Sequence, residues 1–335
     1  MLSVDNSIIL IIIMKHSVII LSLILLLSCH RTSEQVERQL LDSQFQSCIV
    51  ANDSVKALPV EVKVRQWALA GDTLYVLSTE RSHFLNEINL EDMSLVSSFG
   101  NIGQGPGEYI YPRLISSEFG GMFLGDAHLG IIRPINDSLK HEIFIPGDQQ
   151  VQMNDAYLLN DTSLAYVALS PICTRLLVRD LTTGEDRDSL QLPVIPFPDS
   201  EMSTTDFQVG SNGEYFVVAY KGVERFDIIR QADNLRPGST VVFQGDASPG
   251  NRKFFYFDLA CGKDFFALLS MKNKDVSQAE SYPDIEIYDY QGNPLTKISI
   301  NFLAYRILID ENRNRLLLLS ATDDDVHIIN NAIHS

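Results

Sequence analysis

Four carboxylates, Glu108, Asp126, Asp206 and Asp258, are the side chains of this chain that could serve as acid, base or nucleophile. Two such groups facing each other across a cleft at about 5 to 10 Å would suit hydrolysis of a glycosidic bond. Other catalytic signatures do not accompany them. There is no Gly-x-Ser-x-Gly elbow and no His-Glu-x-x-His pair. Beyond His16 and His30 near the N-terminus, His83, His128, His141, His327 and His334 are scattered singly and read as surface or core residues rather than ligands. The run Asp323-Asp324-Asp325 offers hard oxygen donors of the kind calcium takes, but it lacks the spaced ligands and glycine of an EF-hand loop and reads as an acidic turn. No metal and no cofactor is implied.

A second constellation is made of backbone rather than side chains. From Phe99 to Tyr109 the chain reads Phe-Gly-Asn-Ile-Gly-Gln-Gly-Pro-Gly-Glu-Tyr, too rich in glycine and proline for strand or helix. It has neither the Gly-Lys-Ser/Thr ending nor the glycine spacing and following helix of a nucleotide loop. It is either a turn between elements or a loop whose Gly103, Gly105, Pro106, Gly107, Glu108 and Tyr109, with Arg113, contact a partner.

The third is Leu26-Leu27-Ser28-Cys29, which ends the apolar run Val18 to Leu27 with a small residue before a cysteine. Read from Met14, with Lys15 and His16 as a short basic start, residues 1–28 form an export signal whose true start is Met14. The apolar run, about ten residues, is half of what a bilayer core demands. The pattern resembles bacterial lipoproteins, which implies that Cys29 becomes the N-terminus and carries lipid, with more than one acyl chain making the anchorage stable.

Composition bounds what remains. The formal net charge of -17 and the lack of any Lys/Arg cluster argue against nucleic acid as a partner. Beyond Cys29, Cys48, Cys173 and Cys261 have no short paired spacing of the zinc or thiol-redox kind. They are buried thiols, or two of them pair in an oxidising compartment. Residues 29–46 are polar and read as a tether, which leaves 47–335 as the folded body.

The elements that position these groups are strands. Short apolar runs at 73–77, 122–124, 164–168, 214–218, 264–269 and 315–319 each follow a turn signal such as Gly71-Asp72, Asn160-Asp161 or Asn212-Gly213. They recur every 41 to 51 residues, roughly the length of a four-stranded propeller blade. The expectation is an all-β, six-bladed β-propeller. Its last blade lacks a strand at the C-terminus, so a strand from within about residues 49–64 is expected to complete it and close the ring.

Gly103, Gly105, Pro106, Gly107, Glu108 and Tyr109, one blade after the cysteine signal, resemble the TolB-like six-bladed propeller lipoproteins of Bacteroides and relatives. That resemblance implies the six-bladed fold and a place in the cell envelope, but no activity. The chain ends early in its last blade. The residues after Cys29 lack the acidic run tied in that phylum to outer-surface display, which favours anchorage facing the periplasm. The leading functional expectation is a non-catalytic scaffold, anchored to the inner or outer membrane, that binds a protein, peptide or glycan. The alternative is a carbohydrate- or peptide-processing hydrolase or lyase with carboxylates in the central channel.

Overall fold

Turn chemistry explains where the chain folds back. Asn160 and Asn212 each accept backbone N–H groups two residues on, Thr162 at 2.9 Å and Glu214 at 3.1 Å, and Asn314 and Gly71 take positive φ. Between these turns, runs such as Tyr215–Tyr220 and Arg315–Ser320 are buried along most of their length, so both of their faces need cover.

A computed structural model describes residues 37–40, 45–60, 63–117, 121–135, 143–144, 155–169, 174–192, 195–196, 203–204, 207–221, 224–231, 235–243, 255–271 and 281–332. The export signal, Cys29, Cys173 and Asp206 lie outside them. The chain enters with β1 (Glu37–Leu40), β2 (Ser47–Val50) and β3 (Asp53–Lys56). Meanders follow, the first being β4 (Val64–Ala70), β5 (Thr73–Ser78), β6 (Ser82–Asn89) and β7 (Leu95–Asn101). Next come β8 (Arg113–Ser117), β9 (Met122–Asp126), β10 (Ile131–Pro134) and β11 (Ile143–Phe144), then β12 (Ala156–Asn160), β13 (Ser163–Leu169), β14 (Thr174–Asp180) and β15 (Asp186–Leu192). A short pair, β16 (Ile195–Pro196) and β17 (Ser203–Thr204), precedes β18 (Phe207–Ser211), β19 (Tyr215–Tyr220), β20 (Arg225–Arg230) and β21 (Arg236–Phe243). The series ends with β22 (Tyr256–Cys261), β23 (Phe265–Ser270), β24 (Asp284–Asp289) and β25 (Pro294–Ser299), and with β26 (Ala304–Asp310), β27 (Arg315–Ser320) and β28 (Val326–Asn330). The buried runs picked out in the sequence are β5, β9, β13, β19, β23 and β27, each the second strand of its meander.

Sheet pairing is antiparallel inside each meander, and a short parallel pairing of β8 with β12 joins two of them into one eight-stranded sheet. The apolar cores sit between successive sheets. Phe226 and Val217 meet Phe266 and Tyr288 in one cluster; Leu269 and Ile287 meet Leu316 and Leu318 in another. The last sheet in sequence packs on the first, with Leu317, Leu319 and Val326 against Trp67, Leu74 and Val76. Truncating one such buried leucine to alanine costs about 2 to 5 kcal/mol, so the inter-sheet layers are the main source of cohesion.

The N-terminal strands cover outer edges that would otherwise offer unpaired N–H and C=O groups. β1 adds to β21 in parallel, β2 adds to β25 in parallel, and β3 adds to β28 antiparallel. Phe45, between the first two, is buried against Tyr288 at 5.4 Å between ring centroids. So Glu37–Leu40 and Phe45, inside the stretch read as a tether, are placed on the sheets. At the third contact His327 Nδ1 meets the Asp53 carboxylate and its ring stacks on Phe302.

Candidate functional site

The first strands β4, β8, β12, β18, β22 and β26 all contribute to the wall of one cavity of about 560 Å³. Sheets arranged around a shared axial channel in this way are propeller blades. Three of these strands carry the same irregularity near their N-terminal end. One extra residue interrupts the ladder to the next strand at Arg65 in β4, Phe257 in β22 and Tyr305 in β26. Such bulges turn side chains off the regular pleat, and the residues that follow them, Gln66, Asp258 and Arg306, line the cavity.

Two of those residues tie neighbouring sheets together. Gln66 Oε1 accepts the Leu114 N–H at 3.1 Å, and Asp258 Oδ2 accepts the Ile307 N–H at 2.9 Å. Asp258 Oδ1 also stands 3.4 Å from Arg306. Burial pushes the Asp258 carboxyl above the usual carboxylate range, against the opposing pull of Arg306, the Ile307 N–H and Lys221.

Cations dominate the wall. Arg65, Arg113, Lys221 and Arg306 line it alongside the two carboxylates Asp155 and Asp258. The guanidinium groups of Arg65 and Arg113 both lie over the ring of Tyr111, at 3.9 and 4.0 Å from its centroid. Burial lowers the Arg65 pKa, a cost that the nearby Tyr111 and Asp126 only partly offset. Arg65 Nη2 and Arg306 Nε are buried with no hydrogen-bond acceptor among the described residues. Arg306 Nη2 donates to the Arg65 carbonyl at 3.3 Å, linking the last first-strand to the earliest.

The glycine-rich loop is organised differently. Gly103 N–H donates to Tyr109 O at 2.8 Å, Tyr109 N–H to Asn101 O at 3.0 Å, and Glu108 N–H to Gly105 O at 3.1 Å. The Glu108 side chain turns inward and accepts the Gly105 N–H at 2.7 Å. A side chain at Gly103 would collide with that carboxylate, and Gly107 takes a φ of +80° that favours glycine. Tyr109 is buried edge-on to Phe84. Gln104, Gly105, Pro106 and Gly107 are exposed as the tip. Asp126, fully buried, fixes the exit of the loop by accepting the N–H groups of Ile110 and Tyr111 at 2.6 and 2.8 Å, and those of His128 and Leu129 in its own turn. The loop therefore leads directly into Tyr111 at the channel.

The structure thus separates the residues singled out in the sequence. Gly103, Gly105, Pro106, Gly107, Glu108 and Tyr109 form one self-bonded loop, while Arg113 stands on the channel wall. Sequence reasoning passed over Arg65, Tyr111, Lys221 and Arg306. A signal was present: Arg65, Arg113 and Arg306 each precede the buried second strand of their meander by about eight or nine residues, a shared offset in a repeating unit. Asp323, Asp324 and Asp325 sit in the turn between β27 and β28, where Asp323 accepts the Asp325 N–H at 3.1 Å. Among the described residues no group of three or more His, Cys, Asp or Glu is arranged to hold a metal ion, and Cys48 and Cys261 are not disulfide-linked. Among them, too, no helix is long and apolar enough to cross a membrane.

No protein-family model matches this chain, and no curated protein does. Solved structures do. A Bacteroides fragilis protein regarded as exported superposes with a TM-score of 0.52 at 13% identity, covering 88% of this chain and 98% of that one. The WD40 repeats of RRP9 give 0.51 at 12%, covering 84% and 99%. A chain of the Kuenenia stuttgartiensis hydrazine synthase gives 0.50 at 14%, covering 82% and 80%. The chain has the β-propeller fold. At these identities the likeness extends to fold alone, and a fold does not choose between binding and catalysis.

Proposed function

We propose that this protein is a lipid-anchored β-propeller of the bacterial envelope that binds a protein, peptide or glycan partner without transforming it. The observation that carries this reading is how the candidate acids are used. Glu108, Asp126 and Asp258 all hold backbone N–H groups in place, whereas Arg65 and Arg306 retain donors that no described residue accepts. General acid or base work needs a carboxylate within reach of a substrate proton, and these three serve the framework instead. Unused donor capacity at a concave surface is what a binding site offers.

The architecture we propose is six blades of four strands, closed by Asp53–Lys56 as the outer strand of the blade formed by β26, β27 and β28. The pairing of β3 with β28 and the core shared between the last and first sheets support it. Gly103, Gly105, Pro106, Gly107, Glu108 and Tyr109 form the rim that meets the partner, with Arg113 behind them in the channel. Cys29, exposed by removal of residues 1–28, carries the lipid. The likeness to an exported Bacteroides fragilis protein accords with that location, and the charge of -17 accords with a partner other than nucleic acid.

Affinity capture from native envelopes, run with the intact lipoprotein and with a Glu108→Ala variant that keeps its circular dichroism, tests this reading. A partner recovered with the native protein and lost with the variant supports it. Equal recovery by both removes the loop from the interface, and cleavage of a captured glycan or peptide by the purified protein overturns the non-catalytic reading. Separately, Cys29→Ala is expected to move the protein from the membrane fraction to the soluble periplasm; retention in the membrane contradicts lipid anchoring.

A further inference from the structure

The channel wall carries a charge opposite to that of the whole chain. The formal balance of the chain is -17, yet among the described residues Arg65, Arg113, Lys221 and Arg306 face the cavity with Asp155 and Asp258 as the lining carboxylates. One of those carboxylates, Asp258, is held by the Ile307 N–H and shared with Arg306. The two guanidinium groups stacked on Tyr111 lie within about 8 Å of each other, where like charges in a partly enclosed site repel by an appreciable amount. Stacking on an aromatic face leaves the edges of a guanidinium open for a planar pair of N–H bonds to an oxyanion. On two arginines that line the cavity, Arg65 Nη2 and Arg306 Nε are buried donors left open by every described residue, and the Arg306–Arg65 carbonyl contact brings the two strands together.

We propose that the channel binds a dianionic oxyanion group, of the phosphate or dicarboxylate class, between Arg65 and Arg306, with Arg113 and Lys221 adding positive charge. The ligand satisfies the open donors, relieves the repulsion between the stacked guanidinium groups, and leaves Tyr111 as the floor of the site. The cavity admits a small molecule or the anionic end of a larger one. The inference deepens the binding reading by naming the chemistry of the bound group and rests on it. The two fail separately, because a small anion titrated into purified protein needs no envelope partner and no intact loop.

The test is calorimetric titration of the purified protein at low ionic strength with inorganic phosphate, with malonate, and with glucose as an uncharged control. Saturable binding of at least one dianion is expected, with no heat from glucose. Arg65→Gln and Arg306→Gln are each expected to weaken it at least tenfold, the scale of losing one charge-assisted pair. Arg306→Lys, which keeps the charge and loses the planar fork, is expected to fall between. Tighter binding of phosphate identifies a tetrahedral group, and tighter binding of malonate identifies paired carboxylates. Failure of both anions to bind the native protein overturns the proposal, as does an Arg65→Gln variant that binds as tightly as the native protein. If the glutamine variants do not fold, Arg65→Lys decides the matter: weakened binding supports the site, unchanged affinity removes it.

Discussion

The glycine-rich loop and the channel wall lie side by side, joined by the single residue Ile110 between Tyr109 and Tyr111, yet they use polar groups in opposite ways. In and behind the loop the carboxylates are turned inward: Glu108 accepts the Gly105 N–H, and Asp126 at the end of β9 accepts four backbone N–H groups. On the wall, bulged strands bring cations into a shared cavity and leave donors without acceptors. A conspicuous motif can owe its residue types to the needs of its own backbone, while open donor capacity gathers in ordinary arginines that the repeat structure brings together.

Substitutions can break or sharpen that contrast. The largest effect is expected from Asp126→Ala, which strands several backbone N–H groups at once; a loss of about 3 kcal/mol or more in urea unfolding is expected, since each buried unmade bond costs about 1 to 3 kcal/mol. Gly103→Ala comes next, at about 1 to 3 kcal/mol, because its methyl group would displace the Glu108 carboxylate from the Gly105 N–H. Glu108→Ala is expected to cost about 1 kcal/mol and to raise hydrogen exchange at Gly105.

Asp258→Asn acts through pH. The native carboxyl has its pKa raised by burial, so the folded state holds its proton more tightly than the unfolded chain. The stability tied to that proton is therefore present below the ordinary carboxylate value and is lost as pH rises through the raised one. The amide variant is expected to lose this fall, giving a flatter stability profile above about pH 4 than the native protein, read by urea unfolding. Arg65→Gln should have the smallest effect, no loss of stability or a slight gain, because it removes a desolvated charge with an open donor. A destabilisation as large as that of Glu108→Ala would erase the contrast between the two regions.

Much of the fold was legible because second strands announce themselves. Thr73–Ser78 and Phe265–Ser270 are continuous apolar runs after turn residues, since both faces pack on neighbouring sheets. The first strands were harder to read: β4 and β26 mix arginine, glutamine and tyrosine with apolar residues, and a one-residue bulge breaks their alternation. Polar β1 was invisible, because an outer edge strand adds through its backbone and places little demand on side-chain type. Likewise, nothing in the sequence announces that Asp53–Lys56 pairs with β28 and Ser47–Val50 with β25, since edge pairing runs through the backbone. The channel escaped notice because its arginines come from strands far apart in sequence, and their shared offset before the second strands is legible only once the blades are aligned.

One titration of purified protein with phosphate and malonate sets the two regions against each other, using Gly105→Ala in the loop and Arg65→Gln on the wall. Gly105→Ala is expected to keep the native affinity for the dianion while Arg65→Gln loses at least tenfold. Equal weakening by both variants, or binding that neither affects, would contradict that expectation.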